Sequence, residues 1–196
     1  MANKKISIGR YLILKTIGTG GMGEVLLAYD PICKRNVALK KIKPSLLGNE
    51  MITNRFLKEA KIASRLTHPS IVPIYSIHND ENGIYYTMPY VEGELLKDLL
   101  IEAKNDAAIQ STKGAISNLI RIFLSVCEAV AYTHSKNILH RDLKPNNIII
   151  GKYGEVMIID WGIADFIDKV ENELTQLSMD ETIDDIEKTD ITKPGK

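Results

Sequence analysis

The sequence predicts an α+β fold: a five-stranded antiparallel sheet with one inserted helix, followed by a mostly helical part. Three observations lead there. The first 43 residues alternate extended apolar runs with glycine and Asp-Pro breaks. A single stretch of helical period, residues 52–66, interrupts the strand-like segments. Beyond Gly93 the apolar spacing becomes mainly helical, with one short hairpin near the end.

Taken in order, residues 10–17 are rich in β-branched and aromatic side chains and run into a glycine cluster. Residues 24–29 resume the extended pattern, Asp30-Pro31 marks a turn, and residues 36–42 form a third strand. Pro44 and Ser45 change the regime. Phe56, Leu57, Ala60, Ala63 and Leu66 then recur at helical spacing, and His68-Pro69 ends that helix. Residues 71–78 and 83–91 supply two more strands around the polar connection 79–83. Residues 94–103 predict an amphipathic helix and 104–115 a surface loop. Residues 117–135 predict a longer helix, with Leu119, Ile120, Phe123, Val126, Val130 and His134 along a buried stripe. Residues 148–150 and 156–159 flank a turn at 151–154 and predict a hairpin. The chain thus divides at 1–91, 92–162 and 163–196. From Asp165 to Asp190 there are ten acids against two lysines, the composition of a mobile, solvated segment.

Composition narrows the function classes. The 196 residues are 44% hydrophobic, enough for a real core. Lys+Arg and Asp+Glu are 25 each, so no bulk charge favours nucleic acid or an anionic membrane. Cys33 and Cys127 are far apart in sequence and read as free thiols rather than a disulfide or metal pair. No apolar run approaches the roughly 20 residues of a bilayer span, and no signal-peptide core follows the basic start. The expectation is a soluble, cytoplasmic chain with no membrane partner of its own.

The chemistry concentrates at residues 140–147, HRDLKPNN. Asp142 can accept a proton from a hydroxyl, Lys144 can neutralise a phosphate, and Asn147 can hold a metal ion. A second acid, Asp160, precedes Trp161-Gly162. Near the start, Gly18-Thr19-Gly20-Gly21-Met22-Gly23-Glu24-Val25 fits G-x-G-x-x-G-x-V, whose backbone N–H groups can approach phosphate oxygens. A plain glycine-rich hairpin fits equally well in isolation. A dinucleotide fingerprint needs a helix straight after the last glycine, and a strand-like run follows instead. Lys40 ends the apolar run Val37-Ala38-Leu39. A strand lysine usually meets solvent; an inward one needs an inward acid, since buried charge is costly unpaired. Glu59 could be that acid, or a surface partner of Arg55 or Lys58.

Together these motifs resemble protein kinases of the bacterial Ser/Thr type, from Tyr11 to Gly162, in the family's order. Arg141 and Lys144 resemble the protein-kinase form of the loop rather than a small-molecule phosphotransferase, and Lys144 resembles the Ser/Thr class. The resemblance implies a kinase fold, with Asp142 as catalytic base and Lys144 stabilising the transferred phosphoryl. It implies Mg²⁺ (or Mn²⁺) on Asn147 and Asp160, ATP phosphates on Lys40, and Glu59 fixing Lys40. Ile17 and residues 18–25 would cover the nucleotide; Val25, Ala38 and Ile149 would sandwich adenine; Met88, Tyr90 and Val91 would form the hinge. Implied partners are Ser/Thr-bearing proteins and a second copy for autophosphorylation, but no nucleic acid. Arg141 implies control by activation-loop phosphorylation, with Thr189 and Thr192 as candidate sites.

Two features depart from the family. Trp161 stands where Phe is usual, and no A-P-E motif closes the last segment. The second departure implies the front part of a longer kinase. On that view residues 1–196 alone expose apolar surface on the helix at 117–135, associate, bind nucleotide weakly and lack peptide kinase activity. The competing reading, for a complete chain, is a non-catalytic nucleotide-binding or scaffold protein.

Overall fold

The computed structural model describes residues 6–81, 83–105, 113–162 and 164–166. Its upper layer is an antiparallel sheet of β1 (Ser7–Ile8), β2 (Tyr11–Thr19), β3 (Gly23–Asp30), β4 (Arg35–Ile42), β5 (Ser76–Asp80) and β6 (Gly83–Pro89). The strand order is β1-β2-β3-β4-β6-β5. The sheet is therefore six-stranded: the two-residue β1 was too short to show a period in sequence. One face packs Tyr11, Leu26, Val37, Leu39 and Tyr85 together. The opposite face meets a helix.

That helix, α1 (Glu50–Ala63), starts where the Asn49 side chain accepts from Ile52 N–H at 3.2 Å. Glu50 in the first turn and Lys61 in the last suit the helix dipole. Its apolar stripe places Phe56 and Ala60 against Ile42 and Tyr86 of the sheet. The Phe56 and Tyr86 rings sit 5.2 Å apart. Farther along, Ile62, Ala63 and Leu66 enter the core of the lower layer. One helix and the turn after it thus feed two cores.

The strand expected over residues 71–78 is realised only from Ser76. Pro73 has no N–H to donate, so the ladder breaks there. The residues before it face the lower layer: Ile71 bridges to Ile158, and Val72 N–H donates to Ile158 O at 3.2 Å.

The lower layer contains β7 (Gly93–Leu95), α2 (Leu96–Asn105), α3 (Lys113–Ser135), β8 (Ile138–Leu139), β9 (Ile148–Gly151), β10 (Val156–Ile158) and β11 (Asp165–Phe166). Residues 93–95 are a strand on β9, not the first turn of a helix. Gly93 allows this, because a Cβ there would collide with the Ile150 carbonyl. Of the expected loop at 104–115, the first residues belong to α2, which reaches Asn105, and the last to α3, which begins at Lys113; residues 106–112 lie outside the described residues. Asp165 and Phe166, expected in the acidic mobile segment, pair with Leu139 and Ile138. The rest of that segment, with Thr189 and Thr192, lies outside the described residues.

The buried stripe of α3 differs from the one expected. Ile122, Val126, Ala129 and Thr133 are buried, whereas Leu119, Ile120 and Phe123 are exposed and His134 is exposed too. The helix is apolar on more than one side, and β8 and β10 cover only the first of these faces. Periodicity shows that a face is apolar, not which face finds a partner. A second correction follows from the same composition. Residues Gly114–Ser135 are long and apolar enough to cross a bilayer by length and composition, with mean hydropathy 1.5. Arg121 and Glu128 interrupt the run without lowering that mean below a span's. One face packs with Ile138, Val156 and Ile158, and 17% of the apolar window is buried.

Phe56→Ala should destabilise the fold by about 3–5 kcal/mol, because the cavity opens between α1 and the sheet. Phe123→Ala, at a side chain left 66% exposed, should change stability by no more than about 0.5 kcal/mol. Urea unfolding of the two variants measures the contrast, and equal losses would contradict the assigned packing.

Candidate active site

A cleft of about 620 Å³ lies between the layers. Its roof is the turn from β2 to β3. The glycines of this turn separate into two kinds. A Cβ on Gly23 would lie 2.5 Å from the Lys41 carbonyl oxygen, so the sheet itself demands glycine there. A Cβ on Gly21 would meet nothing within 4 Å, and on Gly20 only the Gly23 carbonyl at 3.9 Å. The protein's own packing does not explain these two. Gly20 N–H donates to Gly23 O at 2.9 Å and closes the turn, while the bare backbone at Gly21 leaves room for a phosphate chain to approach.

Ile17, Gly18, Thr19, Met22, Val25, Ala38, Met88, Tyr90, Val91 and Ile149 line the same cleft. Glu24 does not: it pairs with Lys41 at 3.0 Å, its cross-strand neighbour. Its position on the other face of β3 follows from strand alternation.

Deeper in the cleft, Lys40 Nζ lies 2.5 Å from Glu59 Oε1 and 3.5 Å from Asp160 Oδ1. Glu59 is 2% exposed. The surface alternative for Glu59 fails on geometry, because Arg55 donates to Gly162 O at 3.2 Å and Lys58 pairs with Asp165 at 2.7 Å. A second donor also reaches Glu59: Tyr86 OH at 2.6 Å. Sequence reasoning passed over Tyr86. Alternation along β6 places it on the face of Ile84 and Met88, and Met88 was a candidate, so the period could have found it.

The loop 140–147 gathers its own groups. Lys144 Nζ donates to both oxygens of Asp142, at 2.9 and 2.7 Å. Asn147 Nδ2 donates to Asp142 O at 2.8 Å and to Asp142 Oδ2 at 3.0 Å. The Lys144 contact holds the Asp142 carboxyl below the usual carboxylate range; modest desolvation opposes it, and Asn147 adds to it. Asp142 is therefore an ionised acceptor at neutral pH. Asn147 and Asp160 line the cleft; Asp142 joins them through Asn147.

Two of these positions carry backbone strain. Arg141 has φ +65° and Asp160 φ +62°, a region costing about 1–2 kcal/mol for a residue with a Cβ. What surrounds them keeps them there. His140 Nδ1 accepts from Asp142 N–H at 3.3 Å, which leaves Nε2–H to donate to Ile159 O at 3.2 Å. One neutral imidazole thus joins the residue after Arg141 to the residue before Asp160. The Trp161 ring packs 4.5 Å from His140 and is 4% exposed, so it serves as a buried apolar anchor. Among the described residues its indole nitrogen has no hydrogen-bond partner. Arg141 lies 3.7 Å from Asp165, which Lys58 also holds, so α1, the loop and β11 meet at one carboxylate.

The protein kinase domain family matches residues 11–182, and the chain belongs to it. Among curated proteins it is 53% identical over 190 residues to the serine/threonine-protein kinase PknD of Protochlamydia amoebophila, covering 95% of this chain and 19% of that protein. It is 48% identical over 195 residues to PknD of Chlamydia trachomatis serovar D, covering 95% and 21%. The chain spans about a fifth of the length of these relatives. The crystal structure of the M. tuberculosis PknI kinase domain resembles it with a TM-score of 0.65 at 24% identity, covering 83% of this chain and 62% of that one. That likeness establishes the kinase fold.

Two measurements check the site. Gly23→Ala should lower the unfolding free energy by about 1–3 kcal/mol through the Lys41 clash. Gly21→Ala should leave stability within about 0.5 kcal/mol while weakening nucleotide binding. Equal destabilisation by both would place the glycine requirement in the fold. The second concerns His140, whose pKa burial lowers below the ordinary imidazole value. The unfolded chain takes up the proton more readily, so this residue's stabilisation is full above about pH 6.5 and declines as pH falls below it. Heteronuclear NMR at pH 6.5 should show His140 neutral with the proton on Nε2; a half-protonated ring would contradict the loop geometry.

Proposed function

We propose that the protein transfers the γ-phosphate of ATP to serine or threonine hydroxyls of protein substrates. The observation that carries this reading is one assembly: Lys40, Asn147 and Asp160 line a single cleft, and Asp142 is hydrogen-bonded to Asn147 at its edge. The names of the chlamydial relatives point the same way.

In this reading Ile17, Val25, Ala38 and Ile149 enclose the adenine, and Met88, Tyr90 and Val91 border its edge. The glycine turn and Lys40 hold the phosphates. Asn147 and Asp160 are the oxygen ligands that would hold Mg²⁺ or Mn²⁺, whose charge offsets that of the phosphates. Asp142, ionised and aimed by Lys144 and Asn147, accepts a hydrogen bond from the substrate hydroxyl and takes its proton. Lys144 is then released toward the transferred group. Most of the rate enhancement comes from positioning and from charges fixed in advance, since little covalent chemistry falls to the protein.

Residues 1–91 act as the nucleotide-covering lobe in this scheme, and 92–162 as the start of the catalytic one. Protein substrates, and a second copy for autophosphorylation, are the proposed partners. The exposed, unbridged Cys33 and Cys127 suit a reducing cytoplasm. Control by phosphorylation at Thr189 or Thr192 belongs to the same proposal, with Arg141 the cation that would answer it; Asp165 is its present acidic neighbour.

Asp142→Asn keeps the shape and the Asn147 contact but removes the base. It should lower phosphotransfer to a Ser/Thr peptide by about 10²–10⁴-fold. Mg²⁺-ATP binding should stay close to wild type by calorimetry. Transfer at the wild-type rate would remove Asp142 from the role of base. Absence of transfer by the wild-type protein, with nucleotide bound, would favour a non-catalytic nucleotide-binding role.

A further inference from the structure

The kinase reading assigns Glu59 to fix Lys40 but names nothing that fixes Glu59. The pair alone is an incomplete account of a buried carboxylate. Glu59 is 2% exposed, and among the described residues its Oε2 has no hydrogen-bond partner. A buried carboxylate needs several donors, because each lost one leaves desolvation uncompensated. Among the described residues, its donors converge on Oε1: Lys40 Nζ at 2.5 Å and Tyr86 OH at 2.6 Å.

Both donors stand on the same rigid element. Lys40 on β4 and Tyr86 on β6 are directly paired across the antiparallel ladder. Glu59 comes from α1, on the other side of the core. The contact is therefore between a helix and two adjacent strands. The two donors differ in kind. Lys40 has a flexible stem and a second acid, Asp160, within 3.5 Å. Tyr86 is 3% exposed, its ring rests on Phe56, and its hydroxyl has one direction to point. Burial, followed by the nearby Glu59 charge, keeps the phenol well above its ordinary pKa. It therefore remains a donor throughout the working pH range.

We infer that Tyr86 is a positioning residue of the phosphotransfer site: its hydroxyl holds the Glu59 carboxylate in place, so that Lys40 pairs with Glu59 rather than collapsing onto Asp160. Without that hydroxyl, Lys40 is the one donor left to this carboxylate among the described residues, and it has a competing acid nearby. Drift of α1 would then release Lys40 toward Asp160, disturbing the phosphate and metal positions together. The walls that enclose adenine are untouched, so the loss should fall on turnover rather than on ATP binding.

This inference rests on the kinase reading, and its test separates the two. In the full-length protein, Tyr86→Phe removes one oxygen and keeps the ring on Phe56. It should lower kcat about tenfold while the KM for ATP changes by less than about twofold. In a Glu59→Gln background the same change should cost nothing further, because Tyr86 acts through that carboxylate. Hydrogen exchange should show faster opening of the α1 amides in Tyr86→Phe, with the sheet amides unchanged. An unaltered kcat, or a loss that simply adds to that of Glu59→Gln, overturns the inference. So does unchanged α1 protection, even if the wild-type chain transfers no phosphate. Faster α1 exchange in a wild-type-inactive protein would leave the clamp standing and remove the kinase reading instead.

Discussion

One carboxylate oxygen ties the helix that feeds both cores to the sheet. Glu59 Oε1 takes an ammonium from β4 and a phenol from β6 while riding on α1. The end of α1 then continues into the lower core through Ile62, Ala63 and the nearby Leu66. The position of the helix therefore sets two things together: the direction of Lys40 in the cleft and the packing under the metal-binding candidates. A hydrophobic contact in this place could slide, because burial is not directional. A buried, charged hydrogen-bond pair has one satisfactory geometry.

The lower half of the site is held by a different device. Arg141 and Asp160 both occupy left-handed backbone conformations, and neither is glycine. Their strain is stored between two anchors, the His140 imidazole and the buried Trp161 ring. The neutral tautomer of His140 is essential to this, since only it can accept at Nδ1 and donate at Nε2. Beside them, Asp165 gathers Lys58 and Arg141, so α1 is tied to the loop at its outer face as well as through Glu59. The lower site thus depends on α1 in the same way as the upper one.

The motif residues and the class of fold were legible in the sequence, because each depends on local rules. Strand period, turn residues and the helical spacing from Phe56 to Leu66 mark the sheet and α1 within a few residues. The offsets in HRDLKPNN place Asp142, Lys144 and Asn147 within one loop whatever surrounds it, and there they hydrogen-bond to one another. The break at Pro73 was equally local, though the longer apolar run concealed it. Tyr86 was missed for another reason. Strand alternation puts it on the cleft face with Met88, but an aromatic there reads as an ordinary core residue until a charged partner arrives from elsewhere in the chain.

Only the tertiary structure decided which surfaces meet. Helix α3 carries apolar residues on several sides, and nothing in its spacing says that Ile122, Val126 and Ala129 are covered while Phe123 is left open. The glycines of the roof look alike in sequence, yet Gly23 answers to the Lys41 carbonyl and Gly21 to open space. Lys40 and Glu59 offered two readings until Arg55 and Lys58 were seen engaged elsewhere. Sequence determines what a residue can do and the period on which it recurs. Long-range packing determines which partner it does it with, because that choice is settled by contacts between segments with no local relation.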